Sequence, residues 1–279
     1  MPKSMHLRIA GKNLFSKINF AVFGVVFAAL GAYFIINSLA ATPTTANLWI
    51  DNTGTGTHNC QRVDSPETYS SAQSNNRACT SIQQAAAACN GAKADTIGMV
   101  YSANYGSQSS NTAINSPGGT VIAEASTAAS SLSLSGSRLE VQNLVATGNS
   151  SLSGSNNTWR NVELSGTGAW MTFSGTDNKW MGGSLHGGHA QYGSGFDEPI
   201  DLFGATNAVI DGVEFYGITR TPDPDVDKNP HLEIIRIDRG SMNTTIKNSY
   251  FHDNDENTGT IFMTALAGYP VSSGLTLLN

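Results

Sequence analysis

A chain of 279 residues with 39% hydrophobic and only 13% charged residues is neither a coiled coil nor a charge-rich disordered polymer. Its 29 glycines, set among abundant Ser, Thr, Asn and Ala, fit an all-β protein with small polar residues on open faces. Charge is uneven: Lys3, Arg8, Lys12 and Lys17 precede residue 46 without an acid, and the remainder holds 11 basic against 21 acidic residues, which disfavours non-specific nucleic-acid binding.

The first element is an address. Residues 20–36 form an uncharged, mostly apolar run of 17 behind the four basic residues, and Asn37-Ser38-Leu39-Ala40-Ala41 offers small residues at a cleavage site after Ala40. This predicts a signal peptide, or an uncleaved anchor over residues 18–41. Both readings export the rest of the chain, to the cell surface or beyond it. Residues 1–41 are thus signal or anchor, and residues 42–94 a linker followed by a capping segment.

Export permits a disulfide. Cys60 and Cys79 flank a polar loop and form the expected pair. Cys89 follows Ala85-Ala86-Ala87-Ala88, a helical stretch starting near Thr80, and is expected to be buried. No Cys-x-x-Cys or Cys/His spacing suggests structural zinc.

From residue 95 onward a repeat carries the fold. Five segments share one pattern: Val141-x-Asn143, Trp159-x-Asn161, Trp180-x-Gly182, Ile210-x-Gly212 and Ile246-x-Asn248, each followed by a small or apolar residue and then Gly or Asp. Asn and Gly tolerate the left-handed backbone of a tight bend, and stacked Asn side chains can hydrogen-bond as a ladder. An apolar-x-apolar motif followed by Gly precedes most bends, as in Leu132/Leu134/Gly136, Met171/Phe173/Gly175, Ile200/Leu202/Gly204 and Ile235/Ile237/Gly240. Alternation at period two predicts strands with one buried face. The bends are spaced by 18, 21, 30 and 36 residues, which suits stacked coils of three short strands sharing one core.

In these residues the chain resembles right-handed parallel β-helix proteins of the pectate-lyase-like superfamily, exported bacterial type. The resemblance implies an all-β, right-handed parallel β-helix solenoid over residues 95–279, opened by a capping helix near residues 80–85 and a first strand at Asp95–Ile97. Leu277-Leu278-Asn279 matches the start of another bend, so the expectation is a chain cut in mid-coil. The fold does not select a function, since it hosts lyases, hydrolases, epimerases, tailspikes and adhesins.

The lengthening of the later coils is local, at residues 187–200, 217–235 and 253–261, all at one corner. The resemblance implies a groove on the first-strand face below that corner. Parity places Thr172, Asp201, Arg236 and Phe262 in one outward column of that face, and Ser174, Phe203, Asp238 and Thr264 in the next. Asp201, Arg236 and Asp238 are the catalytic candidates: a carboxylate beside an arginine stays ionised, an arginine with calcium can neutralise a uronate, and paired carboxylates can act as acid and base. An exposed ion pair of little energetic worth is the alternative. His189, Tyr192, Asp197, Glu198, Phe203, His231 and Glu233 are the substrate-binding candidates. Residues 197–256 hold 13 of the 21 acids.

Asp223-Pro-Asp225-Val-Asp227 begins like a calcium loop but fails as an EF-hand, because Lys228 replaces the turn glycine and Ile234 the closing Glu. Calcium held irregularly by Asp223, Asp225 and Asp227 is the one cofactor expected. His186, Tyr216 and His252 fall in an outward column of the third strands, expected to stack. Trp159 and Trp180 are expected in the core, and Trp170 and Phe203 as freer sugar platforms. The polygalacturonase motifs and the signatures of true pectate lyases are absent.

The expected function is that of an exported, secreted or cell-surface protein that binds polysaccharide and, if an enzyme, cleaves it as a lyase or glycoside hydrolase. The alternative is a non-catalytic adhesin or structural surface solenoid. Expected partners are a polysaccharide or cell-surface glycan and, through an uncleaved anchor, the membrane. No nucleic-acid partner is expected.

Overall fold

The computed structural model describes residues 42–53, 58–89, 93–191, 198–221, 233–255, 260–265 and 267–278. The expected signal or anchor, the Asp223/Asp225/Asp227 loop, and Tyr192, Asp197 and His231 lie outside the described residues. Among the described residues no helix is long and apolar enough to cross a membrane.

Strand pairing follows the repeat. A seven-stranded sheet orders Ser107–Ser110, Ser131–Leu134, Ser150–Leu152, Met171–Phe173, Ile200–Phe203, Ile235–Asp238 and Ile261–Met263 in sequence, all parallel. A thirteen-stranded sheet, also parallel, stacks the remaining strand positions of each coil. Two all-parallel sheets of short strands are the architecture of a parallel β-solenoid. The second and third strands, expected to be separate, fuse into single eight-residue strands at Thr158–Ser165 and Lys179–His186. The bend survives inside them as a change of backbone, with φ of 50° at Asn161 and 68° at Gly182. Asn143, Gly212 and Asn248 repeat it, at 62°, 69° and 51°.

Alternation places the core between the sheets. Leu132, Leu134, Leu152, Phe173, Leu202 and Ile237 are fully buried. Trp159 and Trp180 align in register, with ring centroids 5.8 Å apart, and Phe215 and Phe251 extend the stack. Trp170, expected as a freer sugar platform, is instead buried in this core. It directly precedes Met171, and its carbonyl accepts the Ser150 N–H, so the chain is already turning inward there.

Polar burial is handled by a ladder at a position other than the bend. Asn178 Oδ1 accepts from the Asn157 N–H at 2.8 Å, and Asn157 Oδ1 from the Leu139 N–H at 3.1 Å. Their Nδ2 groups donate to the carbonyls of Gly154 and Ser174 and of Gly136 and Ser153, so each Asn closes its own turn and ties it to the previous coil. These turns stack closely. A Cβ on Gly175 would lie 2.1 Å from the Gly154 carbonyl oxygen, and Gly175 has φ of 74°.

The N-terminal part belongs to the same core. The first strand is expected at Asp95–Ile97; the strand there runs Asp95–Met99, but Leu48–Ile50 precedes it in the sheet, pairing Leu48 with Ile97. Leu48 and Ile50 point into the solenoid core, while Trp49 covers Gly98 from the other side. Helix α1 (Tyr69–Ser74) is capped by Thr68, and α2 (Ile82–Ala88) by Ser81. Ile82, Ala85 and Ala86 of α2 cover the open end of the apolar interior. A Cys60–Cys79 disulfide closes the loop between the first strand and α2. Cys89 is a free, half-buried thiol.

The Asn157–Asn178 ladder yields a stability prediction. Asn178→Ala leaves the buried Asn157 N–H and the Ser174 carbonyl without their side-chain partner, while the Gly154 carbonyl keeps the Thr176 N–H, at about 1–3 kcal/mol for each buried group left unpaired. Urea denaturation of Asn178→Ala is expected to show a clearly lower midpoint. Asn207→Gly, which loses only exposed hydrogen bonds and keeps the left-handed backbone at φ of 54°, should stay near the parent.

Candidate functional site

The outer face of the seven-stranded sheet positions the site. Parallel register sets Asp201 beside Arg236, Phe203 beside Asp238, and Phe262 beyond Arg236. Ile200, Leu202, Ile235 and Ile237 alternate inward, which forces these side chains out. Arg236 then bridges two acids. It donates to Glu198 Oε1 at 2.5 Å, and its Nε lies 3.0 Å from Asp238 Oδ2.

Asp238 differs from its expected exposure. It occupies the outer face but is fully buried. Arg236 flanks it on one side, and Arg239 Nε lies 3.8 Å from the same oxygen on the other. Among the described residues, neither carboxylate oxygen accepts a well-aligned hydrogen bond. Asp238 thus sits under two guanidinium groups.

Electrostatics set the protonation of the neighbours. Burial pushes the Asp201 carboxyl above the usual carboxylate range, the Asp238 charge adds to this, and Arg236 and Arg239 only partly oppose it. One oxygen of Asp201 is buried without a hydrogen-bond partner. For Arg236, burial pulls the pKa down, but the Glu198 hydrogen bond and the charges of Glu198, Asp238 and Asp201 outweigh it and raise the value. Arg236 therefore holds its proton firmly and is unsuited to act as a base.

Arg239 escaped the sequence reading. Ser174, Phe203 and Asp238 align in register, and Gly175 and Gly204 follow directly, whereas Gly240 comes one residue later. Arg239 is that extra residue, with φ of 50°. Its guanidinium lies 4.1 Å from the centroid of Phe203 and 5.2 Å from that of Tyr269, and both rings are substantially exposed. The broken spacing between Ile237 and Gly240 was the available signal.

The other substrate-binding candidates are dispersed. His189 Nδ1 is 2.9 Å from Thr219 Oγ1, in a separate two-stranded sheet of His189–Gln191 and Thr219–Thr221. Glu233 is half-buried just before the strand that carries Arg236. Among the described residues no group of three or more His, Cys, Asp or Glu is arranged to hold a metal ion. A cavity of about 330 Å³ lies elsewhere, bounded by Ser116, Pro117, Arg138, Glu140, Asn156 and Thr158.

A second polar feature occupies the outer face of the third-strand positions. His186, Tyr216 and His252 stack with centroids 4.7 and 5.2 Å apart and planes within 11°. His186 Nε2 meets Glu163 at 3.0 Å. His252 lies between Asp253, 2.8 Å from Nδ1, and Glu214, 2.9 Å from Nε2. Tyr216 is stacked on both faces, by His186 and His252, and Tyr250 also stacks on His252.

No protein-family model, curated protein or solved structure matches the chain.

These charges generate three predictions. Asp201 has a folded pKa above its unfolded value, so the native state gains stability as pH falls and loses it as pH rises through the folded pKa. Asp201→Asn is therefore expected to raise the melting temperature at about pH 8, with the gain vanishing near pH 3, where both forms are neutral. Removing Arg236 acts oppositely: Arg236→Ala strands the buried Asp238 and should cost about 3 kcal/mol or more in urea denaturation at neutral pH. For His252, the Asp253 hydrogen bond, then that to Glu214, raises the pKa above 6.5. The stability from these pairs is present below 6.5 and lost as pH rises through the raised value. The His252 ring proton should titrate above the unperturbed value in an NMR pH series, and Asp253→Asn should lower its midpoint.

Proposed function

We propose that this protein is an exported polysaccharide-interacting solenoid of the right-handed, pectate-lyase-like type. The Asp201–Arg236–Asp238 cluster forms the centre of its glycan site. One observation carries the reading: charged groups from consecutive coils converge on one sheet face, beside exposed Phe203 and Tyr269. Sugar recognition needs this pairing of fixed polar groups with aromatic surface.

If the site is catalytic, Asp201 is the proton donor. Its raised pKa keeps a proton available nearer neutrality, suited to protonating a glycosidic oxygen as the bond breaks. Arg236 and Asp238 then act as positioning groups, since each is engaged by the other and Asp238 is enclosed. Hydrolysis requires a second carboxylate to activate the attacking water, a role that falls to Glu198 of the same face because Asp238 is enclosed, whereas elimination requires a base at the sugar carbon and Arg236 holds its proton. The enclosure of Asp238 also supports the second reading, a non-catalytic adhesin that binds glycan through the same face.

The test incubates the full chain with polyuronates and neutral glycans, with and without calcium. Binding, unsaturated products and new reducing ends are followed together. Binding with new reducing ends is expected, and Asp201→Asn should lower turnover by about 10²–10⁴-fold while retaining binding. Binding without turnover selects the adhesin, and no binding to any glycan overturns the proposal.

A further inference from the structure

The geometry points to Arg239 as the specificity-determining residue of this face, receiving the carboxylate substituent of an acidic glycan in its guanidinium fork. This rests on the glycan reading above and adds the chemical class of the ligand.

The argument begins with the two arginines. Arg236 is committed, with Glu198 on one side and Asp238 on the other. Arg239 is not. Among the described residues it donates no hydrogen bond, and its one ion-pairing contact is the 3.8 Å approach to Asp238. A guanidinium carries five N–H donors in a planar fork that matches a carboxylate, and a buried donor without an acceptor is costly. Arg239 Nε is such a donor. The side chain is nevertheless 30% exposed, so a ligand can reach it.

Placement of the side chain is built in. Arg239 is a one-residue insertion in the turn that follows its strand, and it holds a left-handed backbone that a non-glycine residue adopts at a cost of about 1 kcal/mol or more. The insertion turns its guanidinium onto the Phe203 ring and against Tyr269. Cation–π contact restrains the guanidinium plane while leaving its edge N–H groups available. The same rings, 37% and 49% exposed, offer apolar surface for the body of a sugar.

An incoming anion depends on the protonation of Asp201. Glu198 pairs with Arg236, Asp238 is shared by Arg236 and Arg239, and the three acids against two arginines reach neutrality only when Asp201, whose pKa is raised, takes up a proton. A bound carboxylate beside Arg239 would favour protonation of Asp201, so uptake of the anion and of a proton should be linked. The charged and titratable groups facing Arg239 are Asp201, Arg236 and Asp238, with the Tyr269 phenol against it.

The test uses the full chain and two readouts. In the first, ¹H–¹⁵N spectra follow the Arg239 Nε–H during titration with glucuronate, glucose and acetate. A saturable shift with glucuronate, weaker with acetate and absent with glucose, is the expected result. No shift with glucuronate beyond that with glucose overturns the inference. In the second, affinities for an acidic and a neutral oligosaccharide of equal length are compared in the parent, Arg239→Gln and Arg239→Lys. Arg239→Gln is expected to lose about tenfold of the preference for the acidic chain, and Arg239→Lys, which keeps charge without the fork, to retain only part of it. Equal affinity for both chains in the parent, or an unchanged preference in Arg239→Gln, also overturns it. Neutral-chain binding that survives in either case leaves the glycan reading standing, whereas loss of all oligosaccharide binding in the parent removes that reading.

Discussion

Parallel in-register stacking is the constraint on which the rest of this structure depends. Each coil exposes one apolar face that it cannot bury alone, and its strands are completed only by the coils on either side. The register Ile200↔Ile235 and Leu202↔Ile237 is enforced because a slip of one residue would turn both apolar pairs outward. Once it is set, every outward side chain has fixed neighbours at about 4.8 Å, whatever its sequence distance. Asp201 and Arg236 meet for that reason.

The same constraint decides where polar groups can be buried. Asn157 and Asn178 succeed because stacked turns present an N–H and two carbonyls at the same place in each coil. Asp238 is a different case. It lies under two arginines without a well-aligned hydrogen bond, an arrangement that contributes little to stability compared with a packed apolar group. Its effect falls on its surroundings: it holds Arg236, lies beside Arg239 and raises the pKa of Asp201.

The two polar faces differ in kind. On the third-strand positions the repeat is regular, and the His186–Tyr216–His252 column is closed by its own stacking. On the first-strand face the repeat is broken by Arg239, and the broken coil leaves a cation and two rings open to solvent. Irregularity in an otherwise repetitive scaffold is where a solenoid can place chemistry without disturbing its core.

The sequence by itself determined the strand face, the bends and the adjacency of Asp201 and Arg236, because all three follow from period-two alternation repeated in register. It also marked Trp159 and Trp180 as core, being the same residue type at the same repeat position. It misplaced Trp170, whose burial depends on how the chain enters Met171, and it missed Leu48–Ile50, which belongs to no repeat. The enclosure of Asp238, the uncommitted guanidinium of Arg239 and the raised pKa of Asp201 were decided only by the tertiary structure. They depend on the direction in which a left-handed residue turns its side chain, and on the depth to which two arginines cover a carboxylate, and neither is encoded in spacing.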